Sequence, residues 1–146
     1  MKKILIDCER LKYPNTGLYT YCTELANVLI SHTTKELEYT FYVPKGKESI
    51  FKGYQPIKSH SPLHKFYIPN TSQFDVWHTT YQGSRYRPYN NHTKIIYTIH
   101  DLNFLIEKND FTTKKASYLA KIQADIDKAS IITCISEYVK TDVLKY

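Results

Sequence analysis

Short apolar runs alternate along this chain with segments whose apolar residues recur every three or four positions. Lys3 to Cys8 is a nearly continuous apolar run closed by Asp7 and Cys8, which suits a parallel strand buried on both faces. A polar turn, Pro14-Asn15-Thr16-Gly17, follows. Leu18, Tyr21, Cys22, Leu25, Val28 and Leu29 then recur at helical spacing and predict an amphipathic helix. Tyr39-Thr40-Phe41-Tyr42-Val43, rich in β-branched and aromatic residues and ended by Pro44, reads as a second strand.

The stretch from Lys45 to Ser72 is interrupted by Pro56, Pro62 and Pro69 and by Gly46 and Gly53, and supports only a short strand near Pro56-Ile57-Lys58. Beyond it, Phe74 to His78 predicts a strand and Thr79 to Asn91 a polar, aromatic loop. Lys94 to Ile99 is the clearest strand and ends at His100-Asp101. A helix is expected from about Thr112 to Lys128, with Ala116, Leu119, Ala120 and Ile126 inward. A last strand, Ser130 to Ile135, leads into a helix that Ser136 can cap.

Strands alternating with helices imply an α/β domain: a Rossmann-like parallel sheet with helices on both faces and right-handed crossovers. The 146 residues, 42% of them hydrophobic, suffice for one such domain. The chain stops at Tyr146 inside a helical pattern, so a longer protein is expected. Ligands of such a sheet bind beyond the carboxyl ends of its strands, where strand order reverses. That rule selects Gly17, His78, His100-Asp101 and Ser136. His78 has two readings, a ligand contact or a core histidine bonded to a neighbouring strand.

Charge adds little. The formal net charge of +6 comes from lysines scattered through the chain, and no nucleic-acid partner is expected. Asp7 cuts the first apolar run too early for a secretory signal, and no apolar stretch approaches the roughly 20 residues of a membrane helix. A cytoplasmic protein is expected, any membrane contact being peripheral. Cys8, Cys22 and Cys134 form no CxxC pair and read as core thiols. His60 and His64 have a spacing that suits zinc on a helix, but Pro62 lies between them; a surface or loop role and no metal site are expected. Tyr81, Tyr86 and Tyr89 with Arg85 and Arg87 read as an amphipathic surface loop. GxGxxG, GxSxG and GxxxxGK[ST] are absent, which argues against a nicotinamide dehydrogenase, an α/β-hydrolase and a P-loop NTPase.

The ordered segments Asn15 to Tyr21 running into Glu24-Leu25-Ala26, Phe74 to His78, Ile99 to Leu102, and Ile131 to Glu137 through Asp142-Val143-Leu144 span nearly the whole chain. Together they resemble the amino-terminal domain of family 4 glycosyltransferases, retaining enzymes of the two-domain GT-B fold. The resemblance implies an acceptor-side domain over residues 1–146, with the nucleotide-sugar-binding carboxyl-terminal domain and its E-x7-E glutamates outside this chain. It implies transfer of a sugar from a nucleotide donor to a glycan, lipid-linked or polysaccharide acceptor, without a metal or other cofactor. A fragment of this kind is expected to be inactive alone.

Carried onto this chain, the likeness puts Gly17 beside the donor phosphates, His100 near the donor sugar and Asp101 as an orienting group. Thr16, His78 and Tyr81 shape the cleft, and Ser136 and Glu137 begin the helix along its border. Tyr19 stands where family members often carry a second glycine, and is expected either to limit phosphate approach or to contact the acceptor. The competing expectation is a stand-alone Rossmann-type domain that binds a nucleotide or another anion.

Overall fold

The computed structural model describes residues 1–54, 56–106 and 113–146. Its strands are β1 (Lys2–Asp7), β2 (Leu37–Val43), β3 (Ile57–Ser59), β4 (Val76–Thr79), β5 (Lys94–Ile99) and β6 (Ile131–Cys134). The helices are α1 (Gly17–Ser31), α2 (Thr113–Ile126) and α3 (Glu137–Lys145). The strands form one six-stranded sheet in the order β3-β2-β1-β4-β5-β6, and every pairing is parallel. Strand order reverses between β1 and β4, which makes the carboxyl ends of those strands the natural ligand crevice.

Register fixes which residues share a face. Ile4 pairs with Tyr39 and Ile6 with Phe41, and these side chains build a core with Cys8 and Val43 against Cys22 and Ala26 of α1. Alternation sends Leu5 and Tyr42 to the opposite face, where they meet Trp77. Among the described residues no α-helix packs onto that part of the sheet. Ile68, Phe74 and Tyr86, from irregular segments, close it instead.

Further along the same face, Tyr97 and Ile99 of β5 pack with Ile122 of α2 and Val139 of α3. The register chains Leu5↔Trp77↔Ile95 and Asp7↔Thr79↔Tyr97 place this cluster on the side opposite α1. Helices therefore lie on both faces, as the strand–helix alternation implies.

Boundaries moved where a local hydrogen bond outweighs strand propensity. β4 begins at Val76, not Phe74, because Phe74 closes a 3-10 turn onto the Thr71 carbonyl. Asp75 accepts from Lys3 N at 2.8 Å and from Lys2 Nζ at 3.0 Å. The inner face expected for α2 also shifts. Ile122 is its buried residue, with Tyr118 and Ile126 beside it, whereas Ala116 and Ala120 are exposed. Burying an isoleucine contributes roughly 2 kcal/mol and an alanine far less, so Ile122 sets the rotation of the helix. Thr112, the expected start of α2, lies outside the described residues.

Candidate functional site

The loop after β1 starts from a buried carboxylate. Asp7 is 1% exposed, and its Oδ1 accepts from Glu9 N at 3.0 Å while its Oδ2 accepts from Ser84 Oγ. Those bonds start a 3-10 turn over Glu9–Lys12 that carries Arg10. The Arg10 guanidinium lies 4.4 Å from the ring centroid of Tyr81 and 4.6 Å from that of Tyr13. Its buried Nε has no hydrogen-bond partner among the described residues. Arginine held between aromatic faces with spare donors is a ready anion contact.

The chain then turns through Asn15, whose φ of 63° is left-handed, into Thr16. Thr16 Oγ1 caps α1 by accepting from Tyr19 N at 3.2 Å. Asn15 carries the unusual backbone conformation, so the turn does not need a glycine at Gly17. A Cβ built on Gly17 would meet nothing within 4 Å. Gly17 leaves the start of α1 open where its first N–H groups await acceptors. Tyr19 packs against the α1-side core.

His100 follows β5. Its Nε2 lies 2.8 Å from the carbonyl oxygen of Thr80, which can only accept, so Nε2 carries the proton. Burial holds its pKa below the ordinary histidine value, and Arg10 adds to the depression. In this neutral form Nδ1 is an acceptor, with no protein partner among the described residues. The Tyr21 ring meets the imidazole edge-on at a centroid distance of 4.7 Å, and the Tyr81 ring stands at 6.5 Å. Gly83 allows the Tyr81 placement, since a Cβ there would come within 2.3 Å of that ring.

Gln82 fastens this arrangement and carries no sequence signal of doing so. Its Oε1 accepts from His100 N at 3.1 Å, its Nε2 donates to the Asp101 carbonyl at 3.0 Å, and its own carbonyl accepts from Tyr97 Oη at 2.9 Å. Truncation would orphan the buried His100 N–H, so Gln82→Ala is expected to cost about 2 kcal/mol. It should also lower hydrogen-exchange protection at the His100 amide. Unchanged protection at that amide would refute the role.

The other expected residues divide. Asp101 is exposed, and its carboxylate accepts from Asn103 N at 3.2 Å, so it orders its own turn rather than the His100 ring. His78 bonds Thr98 Oγ1 at 2.8 Å, and Thr98 bonds Thr133 Oγ1 at 2.8 Å, a side-chain ladder across β4, β5 and β6. That is the bond a core histidine makes to its neighbouring strand, and burial pushes its pKa down to about 4. Ser136 caps α3 by accepting from Val139 N at 3.2 Å, while Glu137 is exposed and pairs with Lys140 at 3.3 Å. Arg10, Tyr21 and Gln82 belong to the crevice without having been expected there.

The surface loop expected around Tyr81, Tyr86 and Tyr89 is more structural than that. Tyr86 is buried, and Arg87 pairs with Asp125 at 2.8 Å. Among the described residues no cluster of three or more His, Cys, Asp or Glu side chains could hold a metal ion. Nor is any helix among them long and apolar enough to cross a membrane. The fold and crevice define a Rossmann-like α/β domain. No family model, curated protein or solved structure matches the chain.

Proposed function

We propose that this chain is the amino-terminal, acceptor-side half of a retaining GT-B glycosyltransferase. It would act with a nucleotide-sugar donor and a carbohydrate or glycolipid acceptor, and reach activity only with a donor-binding domain. The observation that carries the reading is one wall of a polar crevice at the strand-order reversal. It combines an open helix start at Gly17, a stacked Arg10 with spare donors, and a neutral His100 with a free Nδ1.

In sugar transfer the leaving diphosphate gains negative charge as the glycosidic bond breaks. The α1 N–H groups and Arg10 would meet that charge with donors already in place. His100 Nδ1 would accept from a donor-sugar hydroxyl and fix the sugar's orientation. Tyr21 and Tyr81 would present ring faces and edges to the same sugar. Thr16 holds the helix start in position, and Asp101 keeps the loop after β5 in shape.

Reading the coding sequence beyond Tyr146 is the first test. An in-frame second domain bearing E-x7-E is expected, and a stop codon directly after Tyr146 would leave the stand-alone binding domain. In the longer protein, Gly17→Val and His100→Ala are each expected to lower kcat/KM for transfer about tenfold or more, roughly 1.4 kcal/mol in the transition state. The melting temperature of Gly17→Val should stay close to that of the parent, because a Cβ at that position meets no protein atom within 4 Å. Undiminished transfer in both variants would overturn the assignment.

A further inference from the structure

On the other side of the Glu9–Lys12 turn, beyond the carboxyl ends of β2 and β3, lies a second cavity of about 340 Å³. Lys12, Lys45 and Lys65 line it, each exposed and each from a different segment. Among the described residues no carboxylate lies within ion-pair distance of these ammonium groups, whereas Lys2, Arg87 and Lys140 each have such a partner. Lys12 Nζ lies 5.6 Å from the centroid of the Tyr13 ring. Three cations against the single Glu9 carboxyl among the lining residues raise the positive potential of the concavity, and low-dielectric walls focus that field into it.

The remaining wall is polar and held in place. His60 stacks between Tyr42 and Tyr86, at centroid distances of 3.9 and 4.2 Å. Its Nε2 faces the Tyr42 carbonyl at 3.1 Å and Asp7 Oδ1 at 3.6 Å. Both are acceptors, so Nε2 bears the proton and Nδ1 is left without a protein partner among the described residues. Glu9 also lines the cavity, and its buried Oε2 has no hydrogen-bond partner among the described residues. Burial first, and then the neighbouring Asp7 charge, raises the Glu9 pKa.

We propose that this cavity is a binding site for a phosphate or carboxylate group carried by a small hydroxylated molecule. The three ammonium groups would hold the anion, and the Glu9 carboxyl and His60 Nδ1 would meet the hydroxyls beside it. The site is separate from the Arg10–His100 crevice and stands whether or not the chain belongs to a transferase.

Isothermal titration of the chain with inorganic phosphate, glucose 1-phosphate, glucuronate and glucose, at low and at moderate salt, tests it. Glucose 1-phosphate or glucuronate is expected to bind, more weakly as salt rises, and neutral glucose is not. Whichever of the two anionic sugars binds tighter identifies the anion. Lys45→Ala and Lys65→Ala should each weaken binding about fivefold, the effect of one exposed charge contact. Glu9→Gln should strengthen it by removing a negative charge from the wall.

Equal binding of glucose would overturn the site, as would absence of binding by both anionic sugars. So would anion binding that survives Lys45→Ala and Lys65→Ala but is lost in Arg10→Ala, because that places the anion at the start of α1. Both lysines are exposed, so loss of fold would not obscure the result; the thermal transition of each variant checks this.

Discussion

Asp7→Ala is expected to destabilise the fold by about 3 kcal/mol. Asp7 is buried at the end of β1, and its two carboxylate oxygens serve Ser84 Oγ and Glu9 N. Alanine leaves the buried Ser84 hydroxyl and the part-buried Glu9 N–H without that acceptor, at roughly 1–3 kcal/mol each with the larger share at Ser84. The burial cost of the carboxylate itself is relieved, which offsets part of the loss. For a domain of this size the expected change lowers the melting temperature by roughly 10 °C.

Asp7→Asn keeps one acceptor oxygen and should lose less. The double variant Asp7→Ala, Ser84→Ala removes the orphaned hydroxyl but also the acceptor of Tyr86 N at 3.2 Å, so its loss should be smaller than the sum of the two single losses. A loss below about 0.5 kcal/mol in Asp7→Ala would show that Ser84 and Glu9 N find other acceptors. The consequence reaches both ligand sites, because the Glu9–Lys12 turn that Asp7 starts carries Arg10 on one side and Glu9 and Lys12 on the other.

The α/β class was legible because a parallel sheet covered on both faces writes its strands as apolar runs. Lys94–Ile99 matches the expected strand, and Lys3–Cys8 is displaced by a single residue. The layer over Leu5, Tyr42 and Trp77 was not legible. It is built by Ile68, Phe74 and Tyr86 from segments without period, and long-range packing rather than local propensity fixes them. The same holds for α2, where one buried isoleucine sets the helix face and the alanines that fit the same spacing look outward.

The crevice shows the same division. Gly17 and His100 could be picked from position alone, since strand ends in a parallel sheet converge by topology. Arg10 and Gln82 could not, because what marks them is a stacked guanidinium and a side-chain amide bonded to the backbone at residues 100 and 101. His60 lies in a loop as its proline neighbour implied, but two tyrosine rings and Asp7 enclose it. Spacing along the chain carries no trace of that enclosure.

Acidification is expected to destabilise this fold well before its carboxylates titrate, through His78. In the unfolded chain an imidazole takes up its proton near pH 6.5, whereas burial between β4 and β5 keeps His78 neutral down to about 4. Above pH 6.5 neither state is protonated and the folded state has its full stability. Between those two values the unfolded state binds one more proton, so stability falls as pH falls. At 1.36 kcal/mol per pH unit the total is about 3 kcal/mol, of which roughly 2 kcal/mol is lost between pH 6.5 and 5.

His64 and His100 also have lowered values, so their losses add to the same window. Asp7 raises the His78 value slightly and works against the trend. Urea unfolding at pH 7, 6 and 5 measures the slope. His78→Gln can keep a bond to Thr98 without titrating, and should flatten that slope by close to one proton while losing little stability at pH 7. Identical slopes for the parent and His78→Gln would mean that His78 is protonated in the folded state and reaches solvent. The His78–Thr98–Thr133 ladder would then be open on its His78 side, and the ligand-contact reading of His78 would return.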